Sequence, residues 1–325
     1  MRSTFAILVM LLLALSATAQ MRPAQNQAPG PNAQPQAQSG APSASSNNPQ
    51  APSPKAGGHK LPQAKTQDEF KAYQDAASKT DPAQMEAAAN AFAAKYPNSE
   101  LKAALYVRAM NMYGQANNSE KVIETGRKAI AADPTNPVPL VQVGSALVEG
   151  TRDTDMDRDQ RLAEAAKDAQ GAIDNIGGLL VPPDAPADRV AAVKASILTM
   201  AYDSLGMVNL NKKDYAAAEQ ELLKAVDASK AQPEAVVFLR LSVAQDQLKQ
   251  YPQALESATK AAQYAPQGSA AQNLAKQQQA RLQKLMAGGT SAPSGTAPTA
   301  PAPGTPATPA PASTPPTQPP PTTPH

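Results

Sequence analysis

The chain has 325 residues, a formal net charge of +2, no cysteine, no tryptophan and only two histidines. The lack of cysteine excludes disulfides, zinc–thiolate sites and thiol nucleophiles, and His59 and His325 lie in proline-rich terminal segments, which argues against histidine as a general base in a folded site. Aromatic residues make up 4% of the chain, which disfavours a stacking surface for single-stranded nucleic acid.

Residues 1–19 have the pattern of a secretory signal peptide. Arg2 precedes an apolar run from Phe5 to Leu15, and the motif Ala17-Thr18-Ala19 follows it. The run is shorter than the ~20 residues that a membrane span needs, and no cysteine follows it for a lipoprotein anchor. We expect Sec-dependent export in a bacterium, to the periplasm or beyond, with no membrane insertion after cleavage. Retention of the segment as an anchor is the alternative.

Two terminal arms are predicted to be disordered. Residues 20–65 are rich in Gln, Pro and Ala, and residues 288–325 are rich in Pro, Thr and Ala and carry no Lys, Arg, Asp or Glu. Neither arm has the large apolar residues that would offset the entropy of ordering. Their proline content favours extended linkers. We interpret them as spacers, with contact to cell-wall polymer or to a proline-reading partner as the alternative.

Residues 66–287 are predicted to be helical, in segments of about 12–20 residues joined by short turns. Candidate N-cap residues precede several segments: Thr66, Asp81, Asn136, Asp214 and Ser269. Proline-containing stops such as Tyr96-Pro97 and Ala265-Pro266 separate them. No strand-like alternation interrupts the pattern. This arrangement suits antiparallel helix pairs.

Two stretches of this region repeat at a fixed offset. Tyr215 and Tyr251 lie 36 residues apart. Small and apolar residues follow each tyrosine at matching steps: Ala218, Leu222 and Ala225 after the first, and Ala254, Ala258 and Ala261 after the second. A period of this length predicts stacked helical hairpins. Stacked hairpins form an extended binding surface.

These positions resemble the tetratricopeptide repeat family, in which small residues lie where helices cross and a proline ends each unit. Three units match it: Tyr113, Val122, Ala129, Ile130, Asp133 and Pro134; Tyr202, Leu205, Gly206, Tyr215, Ala218, Leu222 and Ala225; Phe238, Leu241, Tyr251, Ala254, Ala258, Ala261 and Pro266. Residues 88–99 resemble the opening repeat of tetratricopeptide proteins of the bacterial cell envelope. Residues 140–173 form a further unit with an insertion near 150–160.

The resemblance implies an all-α, right-handed α-solenoid of about five helix pairs with an end helix at 269–287. An irregular helical bundle is the alternative.

The insertion contains five acidic residues at the ligand spacing of a calcium-binding loop: Asp153, Asp155, Asp157, Asp159 and Glu164. However, Arg158 occupies the position where such loops need glycine, and two further arginines offset the acidic charge. We interpret the segment as a charged surface loop, with calcium binding as the alternative. No other metal site and no cofactor is predicted.

The chain also lacks the motifs of the common enzyme classes. It has no Gly-rich phosphate loop, no G-x-S-x-G and no histidine–carboxylate pair. Its middle region is slightly acidic, so a nucleic-acid partner is not expected. We therefore predict a protein without enzymatic activity.

The resemblance implies that the first helix of each pair lines a concave groove. The residues predicted to line it are Val107, Arg108, Asn111, Val141, Ser145, Asp203, Met207, Leu239, Arg240 and Val243. The groove lacks the cluster of Lys, Arg and Asn with which some family members hold a peptide's terminal carboxylate. Its apolar and small polar residues suit an extended or helical peptide. We predict a scaffold that binds a protein or peptide partner, with an envelope spacer as the alternative.

Overall fold

A computed structural model describes residues 61–182 and 184–289. Within these ranges the chain forms eleven α-helices, one 3-10 turn at Ile176–Gly178 and no strand. The helices are α1 (Gln67–Ala77), α2 (Pro82–Lys95), α3 (Leu101–Gln115), α4 (Ser119–Ala132), α5 (Pro137–Gly150), α6 (Arg158–Asp174), α7 (Ala187–Asn211), α8 (Tyr215–Ala228), α9 (Ala235–Gln247), α10 (Tyr251–Tyr264) and α11 (Ala270–Gly289). Among them, none is long and apolar enough to cross a membrane. The predicted signal peptide, both histidines and almost all of the two predicted arms lie outside the described residues.

The helices pack as consecutive hairpins. The most extensive contacts join α3 to α4, α5 to α6, α7 to α8 and α9 to α10, while α1 packs on α2 and α11 packs on α10 as a single helix. The predicted five pairs and end helix are therefore confirmed. The described residues form a tetratricopeptide-like helical repeat array.

The first and second helices of the pairs form two different layers. Each first helix contacts the first helix of the next pair, from α1 to α3 and onward through α5, α7 and α9 to α11. The second helices of neighbouring pairs make no comparable contact. Because the first helices lie closer together, the array curves so that they form its concave side.

Side-chain caps begin the helices where the sequence predicts them. Five N-cap side chains accept a hydrogen bond from a backbone N–H two or three residues later: Thr66, Asp81, Asn136, Asp214 and Ser269. A further side-chain cap begins α4, where Oδ1 of Asn118 accepts from the N–H of Lys121 at 3.1 Å. These caps satisfy backbone donors that have no partner inside the helix.

The turn within a pair recurs with the same backbone geometry. Asn117, Lys213 and Lys249 each have φ near +60°, at 56°, 61° and 61°. In each turn the N–H of the next residue bonds the carbonyl five residues before it, as in Asp214 to Asn209 at 2.9 Å. The two lysines lie 36 residues apart, which confirms the predicted period. In the α5–α6 pair, residues 151–157 replace this turn.

The third pair lies deepest in the array. Every residue of α5 from Pro137 to Val148 is buried. The helix α7 has 25 residues, against 13 in α9, and its additional N-terminal turns carry Val193 and Ile197 into the same core cluster as Val141. The longer α7 therefore helps to bury α5.

Candidate functional site: the concave face

Most of the predicted groove residues lie on first helices and remain partly accessible. Those on α3, α7 and α9 are half-buried, except Val243, which is 38% exposed. The half-buried residues are Val107, Arg108, Asn111, Asp203, Met207, Leu239 and Arg240. Met207 and Leu239 each pack against a buried cluster with part of their surface. The accessible part of the predicted groove is thus formed by α3, α7 and α9.

Two predicted groove residues are instead part of the core. Val141 is 0% exposed and Ser145 is 7% exposed. Both belong to α5, which is buried on all sides over this span. The concave face is therefore closed at the third pair, and these two residues do not line an open groove.

An arginine joins three successive first helices on this face. The guanidinium of Arg240, on α9, donates to Oδ2 of Asp203 on α7, and its Nη2 lies 3.6 Å from Oε1 of Glu149 on α5. The other carboxylate oxygen of Asp203, Oδ1, is buried and has no hydrogen-bond partner among the described residues. Burial raises the pKa of Asp203, and the charge of Arg240 opposes that rise.

The charge of Arg240 also acts on two further carboxyl groups. Burial raises the pKa of Glu234, the N-cap residue of α9, to about 7, with the charge of Asp203 adding to the rise and Arg240 opposing it. Burial likewise raises the pKa of Glu149, again with Arg240 opposing and Asp203 adding to it. The positive charge of a single guanidinium therefore favours the ionised form of three carboxyl groups.

A second polar group of residues lies between α3 and α5. Nε2 of Gln142 donates to Oδ1 of Asn111 at 3.0 Å. Oε1 of Gln142 and Nε of Arg108 are buried without a hydrogen-bond partner among the described residues. Together with Oδ1 of Asp203, they place three such atoms on the first helices α3, α5 and α7. Buried polar atoms of this kind are uncommon in folded proteins.

The acidic loop before α6 is occupied by ion pairs. Arg158 contacts Asp153 at 3.2 Å and Asp159 at 2.8 Å. Glu164 lies on α6 and accepts two hydrogen bonds from Arg127 of α4, at 2.7 and 2.6 Å. Arg158 also donates to the carbonyl of Asn211 at the end of α7. The loop therefore connects neighbouring helices.

The remaining loop acids have similar partners. The backbone N–H of Arg152 donates to Asp155 at 2.8 Å, and Arg161 lies 3.9 Å from Asp157. Over the part of the chain that the structure describes, no three potential metal ligands are arranged to hold an ion. This geometry fits the interpretation as a charged surface loop and gives no support to the calcium alternative.

A pocket of about 640 Å³ lies at the N-terminal end of the array. The segment entering α1, from Pro62 to Gln67, forms most of its wall, together with Phe70, Tyr73 and Leu101. The pocket is separate from the groove residues of α7 and α9.

Comparisons with known proteins return similarity of fold only. No protein-family model matches the chain, and no curated protein matches it. Among solved structures, the chain is similar to MamA, at 14% identity and a TM-score of 0.34, with 55% of this chain and 95% of that one covered. It is similar to the Cut9 and Hcn1 hetero-tetramer of APC/C at 13% identity and a TM-score of 0.32, covering 67% of this chain and 42% of that one.

A third similar structure is YrrB, described as a tetratricopeptide repeat protein with an unusual peptide-binding site. It has 16% identity and a TM-score of 0.23, with 54% of this chain and 90% of that one covered. Because these identities and TM-scores are low, the description of this chain as a tetratricopeptide-like array rests on its own helix contacts.

Proposed function

We propose that this protein is a non-enzymatic scaffold that binds a peptide or protein segment on the concave face formed by α3, α7 and α9. The packing of the first helices carries this proposal. Successive first helices contact one another, whereas the second helices of neighbouring pairs make no comparable contact, so accessible side chains of α7 and α9, from separate repeats, lie on the same side of the array, with α3 beyond the buried α5. Repeat arrays of this kind use such surfaces for binding.

The chemistry of the face indicates a peptide with apolar side chains. Val243, Leu239 and Met207 offer apolar surface. The half-buried Arg108 and Asn111 of α3 add polar groups to the face, and a peptide backbone carries both donors and acceptors for such groups. Since Arg240 is already paired with acidic residues, the face is poorly suited to holding a terminal carboxylate.

The proposal includes export, because residues 1–19 have the pattern of a signal peptide. We propose a periplasmic or secreted location on the sequence alone. The spacer alternative, with contact of the arms to cell-wall polymer, concerns segments that lie almost wholly outside the described residues. No feature of the helices favours it over peptide binding.

A photo-crosslinking experiment with a matched control tests the site. Peptides are selected from a random display library with the full chain, and a photoreactive residue is then placed at Val243 or at Leu223. Both positions are exposed, at 38% and 47%, but Leu223 lies on α8, in the outer layer. We expect selected peptides to crosslink at Val243 and not at Leu223. Equal crosslinking at both positions, or no peptide selected above background, would contradict the proposal.

A further inference from the structure

The pocket at the N-terminal end of the array offers aromatic and apolar surface to a ligand. Its volume of about 640 Å³ lies within the ~300–1,000 Å³ of most ligand pockets. Phe70 is 48% exposed. Tyr73 is half-buried, and the ring of Phe92 supports it in an edge-on contact with 6.3 Å between the ring centroids. The buried Leu101 of α3 completes this apolar lining.

The rest of the pocket wall, residues 62–67, is held in place by hydrogen bonds. The backbone N–H of Lys65 donates to Oε2 of Glu69 at 2.7 Å, and the N–H of Glu69 donates to Oγ1 of Thr66 at 3.1 Å. Nζ of Lys65 donates to the carbonyl of Asn98 at 2.9 Å. The one charged side chain that lines the pocket in the described part of the chain therefore already has a partner. The pocket is formed in advance and suits an uncharged ligand.

The end of the C-terminal tail is an uncharged segment with matching chemistry. Residues 315–324 contain six prolines, and Pro316 precedes Pro319 by three residues, as Pro321 precedes Pro324. A polyproline II helix has three residues per turn, so the prolines of each pair would share one edge of such a helix. Aromatic-lined grooves bind proline-rich segments of this spacing, because the preformed helix loses little entropy on binding.

We propose that this pocket binds residues 315–324 of the tail of the same chain, as a polyproline II segment. The proline rings pack against Phe70 and Tyr73. The exposed Gln63 and Gln67 carry amide donors for the backbone carbonyls that a polyproline II helix leaves without internal partners.

The tail is long enough to reach the pocket from the other end of the array. The first helices make five successive contacts from α1 to α11, which at ~8–10 Å for each contact is about 40–50 Å. The 20 residues of α11 cover about 30 Å along its axis, so the end of α11 lies roughly 60 Å from the pocket when these distances are combined at right angles. Residues 290–314 extend over about 75 Å as polyproline II. A tether that spans its target gives an effective concentration in the millimolar range, so even a weak site is filled.

Photo-crosslinking of the full chain tests this contact without any partner. A photoreactive phenylalanine analogue replaces Phe70 or, as the matched control, Tyr264 of α10, which is 42% exposed. We expect position 70 to crosslink to residues 315–324 within single chains and position 264 not to do so. Two tail variants then separate proline recognition from simple proximity. The crosslink should be lost when Pro316, Pro319, Pro321 and Pro324 are replaced by Ala, and kept when Thr317 and Thr323 are replaced by Ala.

A reciprocal probe guards against a folding defect at the pocket. With the analogue at Gln318 the pocket sequence is unchanged, and we expect crosslinks to residues 62–73. The proposal is overturned if position 70 captures no tail residue, captures residues 20–60 instead, or reacts with the tail no more than position 264 does. Crosslinks that form only between two copies, or that persist in the proline variant, also overturn it. Because the pocket is separate from the groove residues of α7 and α9, these outcomes leave the test of peptide binding at Val243 unaffected.

Discussion

A β-carbon added to Gly206 would lie 2.6 Å from Cγ and 2.8 Å from Cδ2 of Leu222. Gly206 is on α7 and Leu222 is on α8, so the two residues mark a point of close approach between the helices of the fourth pair. Leu222 is fully buried and cannot move into solvent. The absence of a side chain at Gly206 is therefore what allows this crossing distance.

Replacing Gly206 with Ala should lower the free energy of unfolding. Alanine gains up to about 1 kcal/mol over glycine within a helix, but overpacking a filled core costs about 1–3 kcal/mol. We expect a net loss of about 1 kcal/mol, measured by chemical denaturation.

Gly171→Ala is the matched control for that variant. Gly171 also lies inside a helix, and its added β-carbon would meet Cδ1 of Leu140 at 3.5 Å, an ordinary contact. This variant should gain up to about 1 kcal/mol from helix propensity alone. If both variants were stabilised equally, the crossing at Gly206 would not be as tight as the geometry indicates.

The turn lysines should be replaceable by glycine with a gain in stability. Lys213 and Lys249 both have a φ of 61°, a left-handed conformation that costs an L-residue roughly 1–2 kcal/mol and costs glycine little. Glycine also loses more entropy on folding, so we expect a net gain of about 0.5–1 kcal/mol for each variant. Thermal unfolding of the single and double variants measures it. A decrease in both single variants would show that the lysine side chains contribute contacts that outweigh the backbone strain.

Much of this fold follows from local sequence signals. Asp81 and Asn136 each precede a proline and cap a helix, because the side chain satisfies a free N–H while the proline needs none. The 36-residue offset of Tyr215 and Tyr251 is likewise preserved in the structure, where both residues begin the second helix of a pair. The caps depend on neighbouring residues and the offset on a pattern repeated along the chain, so both can be recognised without knowledge of tertiary contacts.

The interior of the groove could not be predicted in the same way. Val141 and Ser145 occupy groove positions in the repeat pattern, yet the extended α7 and its Val193 and Ile197 bury their helix. Pro186 precedes Ala187, the first residue of α7, but no side chain caps this helix start. The partners of Arg240 lie on other helices, 37 residues away at Asp203 and farther at Glu149. Contacts of this kind depend on how the repeats stack, which local patterns do not specify.

The buried carboxyl group of Asp168 should make the protein more stable at mildly acidic pH. Burial raises its pKa to about 6, with the charge of Glu164 adding to the rise. Because the folded state binds the proton more tightly than the unfolded state, stability falls as the pH rises from about 4 to about 6. Asp168→Asn should remove this slope and raise Tm at neutral pH. An unchanged pH profile of Tm would indicate that Asp168 titrates normally.

Glu86 should have the opposite effect. It accepts hydrogen bonds from the Tyr113 hydroxyl at 2.9 Å and from Lys121 and Lys128 at 3.1 and 2.8 Å. These partners lower its pKa to about 2 against the effect of burial. Its contribution is present above the unfolded pKa and is lost as the pH falls toward 2. Glu86→Gln should cost about 1–3 kcal/mol at neutral pH and little in strong acid. An equal cost at both pH values would assign the effect to packing.

The groove prediction concerns Met207 of α7 and Leu239 of α9, which lie on adjacent first helices. We expect Met207→Glu combined with Leu239→Glu to abolish binding of peptides selected by the wild type. A glutamate beneath a bound apolar side chain must lose its hydration, whereas in the free protein it can keep part of it. Both residues are half-buried, so some stability will be lost, but we expect nearly unchanged helical content by circular dichroism. Fluorescence anisotropy with a labelled peptide measures the binding.

Val243→Glu separates binding from folding more sharply, because Val243 is the most exposed apolar residue of the predicted groove. Its stability should change by no more than about 0.5 kcal/mol, while its affinity for the peptide falls by about tenfold or more, as expected for a contact worth at least 1.4 kcal/mol. Leu223→Glu, on the outer layer, should retain wild-type affinity. If Val243→Glu and the double variant both fold and bind as the wild type does, the concave face is not the binding surface. If the double variant unfolds and Val243→Glu does not, Met207 and Leu239 belong to the core. Val243→Glu then remains the test of whether the concave face binds the peptide.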